Sequence, residues 1–229
     1  IAYFFDFGSL RLDIDNATNG DWFAQMKWNS ALLWDTDQDR WLIDRMSYIN
    51  TGTVKVIAFQ DDNVNGLFDS NEQPIAGLTF SGHSQSNKQT DQKGELLITQ
   101  LQTNRQQKLI LNENSLSDPF LLPAAHIISV NPHPGHIQPI LFPVMYTAEL
   151  EGSVFYSGSD HLPAVGLLAE LKSNTKELSY SARVEYDGIF IFGQILPGNY
   201  ELFLDNQFIR TISLSPGEFI QIPELEISD

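Results

Sequence analysis

The sequence contains no cysteine, which excludes a disulfide framework and any metal site built on thiolates. It also lacks a long apolar run, because no segment approaches the roughly 20 residues that a transmembrane helix requires. Basic residues are scarce, with 13 Lys and Arg against 29 Asp and Glu, so the formal net charge is −16. Since phosphate binding requires a basic surface, we expect no nucleic-acid partner. The acidic balance suits a soluble surface and the binding of cations.

Long segments rich in Ala, Leu, Glu and Lys, which favour helices, are missing as well. Short β-branched and aromatic runs alternate with Gly, Pro, Asn, Asp and Ser clusters, a pattern typical of an all-β protein. The 229 residues suffice for one large or two small domains, at roughly 150 residues per domain. The chain begins at Ile1 without an initiator methionine or a signal peptide, so we expect it to be a fragment of a longer protein.

The first fifty residues are predicted to form a β-hairpin with an aromatic face. Residues 21–35, DWFAQMKWNSALLWD, alternate as one strand, and 9–16, SLRLDIDN, alternate as its partner. Asn19-Gly20 between them is a common signal for a two-residue turn. The strand places three tryptophans on one side: Trp22, Trp28 and Trp34. Two interpretations remain open: a hairpin half buried on a soluble core, or two strands of a membrane β-barrel with aromatic residues toward lipid.

An internal repeat follows residue 50. The two halves correspond at Gly52 and Gly152, Pro74 and Pro163, Gly77 and Gly166, Asp91/Gly94 and Asp187-Gly188, and Leu101 and Leu196. Each half offers several short strands, which predicts two related β-sandwiches at 51–145 and 146–229, after a hairpin and linker at 1–50.

Two expectations follow for strands of these sandwiches. The segment GIFIFGQIL should be a central strand of the second sandwich, with Phe190, Phe192 and Tyr200 in its core. The prolines between the halves should exclude a central strand and favour an extended connector. These prolines are Pro132, Pro134, Pro139 and Pro143.

The segment DDNVNGLFDSNE, residues 61–72, has the oxygen spacing of a calcium-binding loop. The predicted ligands are the side chains of Asp61, Asn63, Asn65, Asp69 and Glu72 and the carbonyl of Leu67. Alternate positions point inward, Gly66 permits the sharp reversal, and the terminal glutamate can bind through both oxygens. We expect Phe68 to anchor the loop in the core. The competing interpretation is a turn hydrogen-bonded to its own backbone.

Two resemblances to known modules extend this interpretation. GTVKVIAFQDDNVNGLFDSNEQPIAGLTF resembles the calcium-binding B-type modules of bacterial surface proteins. Segments of the second half, such as DGIFIFGQILPGNYELFL, resemble the carboxypeptidase regulatory-like, transthyretin-like sandwich. Together they cover Gly52 to about Leu204. The likeness to B-type modules implies a role for Lys55, since such modules form intramolecular isopeptide bonds from a lysine, a buried Asn or Asp and a nearby acid.

Both modules, preceded by the aromatic hairpin, resemble the C-terminal end of an outer-membrane usher, the pore that secretes and assembles pilus subunits. This resemblance implies barrel strands that lead into periplasmic sandwiches, chaperone–pilin complexes as partners, and the outer membrane and periplasm of a Gram-negative bacterium as the location.

Two other functions remain open. One is a calcium-stiffened spacer or adhesion module of a secreted or cell-surface protein, with other surface proteins as partners. The other is an accessory sandwich beside a hydrolase. We expect no enzyme, because His83 and Ser84, for example, lack the strand–turn–helix context of a nucleophile elbow.

Overall fold

The computed structural model describes residues 1–5, 7–16, 20–35, 39–44, 50–85, 87–158, 161–175 and 177–228. The predicted all-β class is confirmed, since the one helical element among these residues is a 3-10 turn at Glu113–Ser115. None of the described helical structure is long and apolar enough to cross a membrane.

Twenty strands account for the regular structure of the described residues. In chain order they are β1 (Ala2–Phe5), β2 (Gly8–Asn16), β3 (Trp22–Asn29), β4 (Ala31–Asp35), β5 (Arg40–Asp44), β6 (Gly52–Gln60), β7 (Phe80–Ser81), β8 (Glu95–Leu101), β9 (Gln107–Leu111), β10 (Leu121–Pro123), β11 (Ile127–Val130), β12 (Ile137–Tyr146), β13 (Ala148–Tyr156), β14 (Leu168–Ser173), β15 (Ser179–Arg183), β16 (Ile189–Ile195), β17 (Gly198–Leu204), β18 (Gln207–Leu214), β19 (Phe219–Gln221) and β20 (Leu225–Ile227).

The chain divides into two compact units that interleave in sequence. The first comprises Ile1–Phe59, Gln73–Ser115 and Ala125–Phe142. The second comprises Gln60–Glu72, Leu116–Ala124 and Pro143–Asp229. The domain ranges expected from the repeat remain a prediction.

The predicted N-terminal hairpin is present. β2 and β3 pair antiparallel, with Asn16 opposite Trp22, and β1 adds a third strand along β2. The turn expected at Asn19-Gly20 falls in the connection between β2 and β3. Asn19 itself lies outside the described residues.

The single strand expected over residues 21–35 is wrong, because the strand breaks at Ser30. The hydroxyl of Ser30 donates to the Phe7 carbonyl at 2.9 Å, directly after the last residue of β3. β4 then pairs with β5 instead of β2, and Trp34 lies opposite Trp41 with ring centroids 5.0 Å apart. The three predicted tryptophans therefore belong to two sheets rather than to one aromatic face.

The first unit contains two short sheets besides the N-terminal strands. β6 lies between β8 and β12 in one sheet, and β9 lies between β7 and β11 in the other. The rings of Phe80 on β7 and Phe142 on β12 meet edge to face at 5.1 Å, so side chains from both sheets share one core. Its buried apolar residues include Val54, Val56, Leu96, Ile98 and Leu109.

The expectation that the prolines exclude a central strand is wrong for Pro139 and Pro143, which both lie in β12. This strand has neighbours on both sides, but β10 pairs only with its last three residues. Pro143 takes part through its carbonyl, which accepts a hydrogen bond from the Ala124 amide at 3.0 Å. A strand tolerates proline where its missing N–H has no partner to meet.

The second unit packs two four-stranded sheets around one core. Their orders are β16-β13-β19, with β20 also on β13, and β15-β14-β17-β18. Phe190, Phe192 and Tyr200 are confirmed in this core, at 0%, 3% and 1% exposure. The prediction that the GIFIFGQIL segment forms a central strand is wrong, because β16 lies at the edge of its sheet. Burial raises the pKa of Tyr200, whose hydroxyl donates to the Leu196 carbonyl at 2.7 Å.

Two features of the backbone recur at corresponding positions of the two halves. Gly77 and Gly166 both have left-handed backbones, with φ angles of 88° and 82°. Isolated bridges join Phe59 to Pro74 in one half and Phe155 to Pro163 in the other. In each half a bridge therefore joins the first long strand to the proline that follows it.

Truncation of Phe192 to alanine is expected to lower the free energy of unfolding by about 3–5 kcal/mol, because a buried aromatic ring leaves a cavity. Its neighbour Ile191 points outward with 56% exposure and supplies the matched control, Ile191→Ala, for which we expect a change within about 0.5 kcal/mol. Urea denaturation measures both values. Equal losses in the two variants would contradict the assignment of faces on β16.

Candidate functional site

The predicted calcium loop directly follows β6 and ends before the bridge at Pro74. The Asp61 amide donates to the Val144 carbonyl at 3.0 Å, which fixes the start of the loop on β12. Gly66 has a φ of 74°, so the reversal expected at this glycine is present. Val64 also has a left-handed backbone, with a φ of 59°. This conformation is costly for a β-branched residue, and the surrounding loop must hold it in place.

The first and last acidic residues of the loop are buried. Asp61 and Glu72 are only 3% and 5% exposed to solvent. Within the described residues, no lysine or arginine forms an ion pair with Asp61, Asp69 or Glu72. Buried carboxylates are normally paired with a cationic side chain or bound to a metal. The loop therefore carries two buried carboxylates whose charge no side-chain cation of the described residues balances.

Backbone amides supply part of the missing compensation. Asp61 accepts hydrogen bonds from the amides of Asn65 at 3.1 Å and Gly66 at 2.8 Å. Glu72 accepts from Asp62 at 3.2 Å and Asp69 at 3.0 Å, one on each carboxylate oxygen. These bonds wrap the loop around the two carboxylates at its ends.

The remaining predicted ligands join the same network. Asp69 Oδ2 accepts from the side-chain amides of Asn63 at 2.8 Å and Asn65 at 2.9 Å. Asn63 Oδ1 accepts from the Asn65 amide at 3.0 Å, and Asn65 Oδ1 accepts from the Leu67 amide at 2.7 Å. The structure thus brings the predicted side-chain ligands into one hydrogen-bonded loop. Hydrogen bonds of this kind also form in Asx turns, in which side chains bind the local backbone. The structure is therefore compatible with both a calcium loop and a simple turn.

Two features of the loop depart from expectation. Phe68 is 40% exposed, so the prediction that it anchors the loop in the core is wrong. The three carboxylates also do not converge within 4.8 Å; the one group of three acidic or histidine ligands that does so among the described residues lies elsewhere. Because Asn63 and Asn65 bind Asp69 through their amides, binding of an ion requires these side chains to turn their oxygens inward.

The donor set still fits calcium. It contains carboxylate and amide oxygens without nitrogen or sulfur ligands, and calcium takes six to eight such hard oxygens in a flexible geometry. Calcium would be held by Asp61, Asn63, Asn65, Asp69 and Glu72 with the Leu67 carbonyl. It would supply the positive charge that the two buried carboxylates lack. Calcium binding stays a prediction.

A second polar cluster, centred on Lys55, was only partly foreseen. Lys55 lies in the apolar strand β6 at 2% exposure, and its Nζ is 3.3 Å from Oδ1 of Asp35, which is 1% exposed. Arg40 lies between Asp35 at 3.8 Å and Glu95 at 3.7 Å. The buried acid that the isopeptide interpretation of Lys55 requires is therefore present in β4, while the bond itself stays a prediction. The sequence marked the lysine in an apolar run but gave no signal for its partner.

Replacement of Asp35 by alanine is expected to destabilise the chain by about 3–5 kcal/mol, because Lys55 then stays buried without its carboxylate. The double variant Asp35→Ala with Lys55→Met should recover much of that loss, since it removes both charges. The control is Arg11→Ala, which breaks an exposed ion pair with Asp13 at 2.8 Å and should cost less than about 1 kcal/mol. Urea denaturation measures all three, and additive losses in the double variant would contradict a coupled buried pair.

Comparisons with known proteins yield distant structural likenesses. No family model and no curated protein matches the chain. A cryo-EM structure of the Escherichia coli P pilus tip assembly intermediate PapC-PapD-PapK-PapG shares 12% identity, with a TM-score of 0.48, over 98% of this chain and 25% of that chain. GBS52, the minor pilin of Streptococcus agalactiae, shares 11% identity, with a TM-score of 0.37, over 76% of this chain and 94% of that chain. A streptococcal ancillary pilin shares 13% identity, with a TM-score of 0.35, over 96% of this chain and 75% of that chain. At these values the likenesses carry no conclusion about function.

Proposed function

We propose that the chain is the C-terminal part of an outer-membrane usher, a non-enzymatic protein that assists the secretion and assembly of pilus subunits. In this proposal β1–β3 belong to a membrane β-barrel. The two sandwiches lie in the periplasm and receive chaperone–pilin complexes. One observation carries the proposal: the sheet formed by β1–β3 has an exposed apolar face and a polar opposite face.

The strand pairing defines these two faces, because directly opposite residues in a sheet share a face. One face holds Tyr3, Phe5, Gly8, Leu10, Leu12, Ile14, Asn16, Trp22, Ala24, Met26 and Trp28, so Asn16 at its end is its one polar amide. The other holds Ala2, Phe4, Ser9, Arg11, Asp13, Asp15, Phe23, Gln25, Lys27 and Asn29. Every ionisable group except that of Tyr3 is on the second face, which is the alternation expected when lipid covers one side and water the other.

The apolar face lies open within the first unit. Trp22, Met26 and Ile14 are 72%, 73% and 56% exposed. A contiguous apolar surface of this kind marks contact with a membrane or a partner. Aromatic rings occupy both ends of β3, with Trp22 at its start and Trp28 packed at 6.1 Å against Phe7 at its end. Membrane barrels carry aromatic girdles at both interfaces around an apolar band, and Ala24 and Met26 lie between the two tryptophans.

The chain is expected to partition into detergent micelles or phospholipid vesicles through this face. Met26→Asp should weaken partitioning by an amount equivalent to about 2–4 kcal/mol or less, depending on its depth, because it places a charge toward lipid. Gln25→Asp is the matched control, since it puts the same charge one residue away on the polar face. Vesicle flotation and the emission wavelength of tryptophan measure the outcome. The membrane assignment would be overturned if the chain is monodisperse and does not bind lipid. It would also be overturned if both variants weaken partitioning equally.

A second candidate is a calcium-stiffened spacer or adhesion module of a secreted or cell-surface protein. The two buried carboxylates of the loop, Asp61 and Glu72, favour it, because no described cationic side chain pairs with them. Calcium binding by itself fits either function. The lipid-partitioning experiment distinguishes the usher from the surface spacer, since a surface spacer is not expected to bind lipid.

Calcium is expected to raise the melting temperature of the chain, because a ligand that binds only the folded state stabilises it. The gain is about 2.7 kcal/mol when calcium exceeds its dissociation constant a hundredfold. Asp61→Asn should abolish most of this gain. Asp62→Asn is the matched control, because Asp62 is exposed and accepts a hydrogen bond from Gln60 Nε2 at 2.8 Å. Melting curves with calcium, magnesium or chelator decide the question, and a gain that survives Asp61→Asn would place the ion elsewhere.

A further inference from the structure

A histidine and two glutamates outside the calcium loop converge on the surface of the second unit. They are His161, which follows β13, Glu224, which directly precedes β20, and Glu226, in the middle of β20. One ligand atom from each residue lies within 4.8 Å of those of the other two. His161 Nε2 is 3.3 Å from Glu224 Oε1. The usher proposal assigns no role to this group.

The strand pairing explains why these distant residues meet. β20 runs parallel to β13 with Glu226 opposite Phe155, and Glu224 lies two residues earlier, directly before this strand. The imidazole of His161 stacks on the ring of Phe155 at 4.3 Å and 7°. Phe155 therefore serves as the common neighbour that brings the histidine beside the glutamates.

Phe155 is itself fixed in position by a glycine. A Cβ at Gly188 would lie 2.8 Å from the Phe155 ring, so the absence of a side chain at Gly188 lets the ring lie against the backbone. His161 has a left-handed φ of 45°. The histidine is thus held by its loop and by the ring beneath it rather than extended freely into solvent.

The loop that carries His161 occupies the same place in its half as the calcium loop does in the other. The calcium loop lies between the bridged residues Phe59 and Pro74, and His161 lies between the bridged residues Phe155 and Pro163. In each half the loop therefore lies between the first long strand and a bridged proline. The ligand types differ, because this second loop contributes an imidazole where the first contributes oxygens.

We propose that His161, Glu224 and Glu226 bind a zinc ion. One imidazole nitrogen and two carboxylate oxygens are zinc ligands, and tetrahedral bonds of about 2.0–2.1 Å separate ligand atoms by about 3.4 Å. The His161–Glu224 separation already has this value, at 3.3 Å. Calcium and magnesium prefer oxygen ligands alone, so the imidazole selects for a transition metal.

A salt bridge alone accounts less well for the cluster. A protonated His161 balances one carboxylate, but a second carboxylate at this distance adds repulsion between like charges. A divalent cation balances both. Because His161 and Glu224 are 52% and 45% exposed, water completes the coordination. Zinc in this position joins the loop after β13 to the short strand β20.

Zinc titration by isothermal calorimetry on the whole chain, with calcium present in excess, tests the proposal. We expect one zinc per chain at micromolar affinity, and at least about a tenfold loss of affinity in His161→Ala and in Glu226→Gln. His126→Ala is the matched control, because His126 is 56% exposed and pairs with Glu113 at 2.9 Å outside the three-ligand group. This variant should bind zinc as the unchanged chain does.

Two further measurements separate zinc binding from other effects. Asp61→Asn should leave the zinc affinity unchanged, which shows that zinc does not occupy the calcium loop. Melting curves without zinc should agree among the unchanged chain, His161→Ala, Glu226→Gln and His126→Ala, since these replaced side chains are exposed. Absence of micromolar binding, or equal affinity in His161→Ala and His126→Ala, overturns the zinc site without any effect on the membrane or calcium experiments.

Discussion

The pair of Lys55 and Asp35 is the contact on which the arrangement of the first unit depends, because both charges are removed from water. Lys55 enters the core from β6, and Asp35 reaches it from β4, so the second N-terminal hairpin must stay beside the sandwich for either charge to be balanced. Arg40 extends the pair to Glu95 on β8. A charge buried in this way contributes little net stability, but its loss is costly, and it therefore defines which strands are neighbours.

The apolar side chains of the N-terminal strands are mostly exposed, whereas those of the sandwich strands are mostly buried. In the sandwiches the apolar side chains of each strand turn into a closed core, as Phe190 and Phe192 do on β16. In β1–β3 the same alternation leaves the apolar side chains open. The second hairpin repeats this arrangement, with Trp34 and Trp41 exposed on one face and Asp35 buried on the other. The exposed apolar side chains of β1–β3, in contrast to the closed cores of the sandwiches, are the physical basis of the membrane proposal.

The two metal proposals follow one principle at two places in the repeat. In each half a loop leaves the first long strand before a bridged proline, and in each half this loop carries side chains that suit a cation. The net charge of −16 makes such sites favourable, because bound cations reduce repulsion within an acidic chain. The ligands of the calcium loop come from one short segment, whereas those of the histidine group come from two segments that are far apart in the sequence. Only the first kind of site can be predicted from spacing.

Local patterns in the sequence determined the all-β class, the repeat, the residues of the loop at 61–72 and the inward side chains of β16, because alternation and turn glycines act within a few residues. Tertiary structure decided what pairs with what. It broke the expected long strand at Ser30, placed Pro139 and Pro143 inside a paired strand, and moved β16 to a sheet edge. It also brought Asp35 to Lys55 and His161 to Glu224. Such contacts join residues far apart in the chain, and local spacing carries no information about which distant strand will lie alongside.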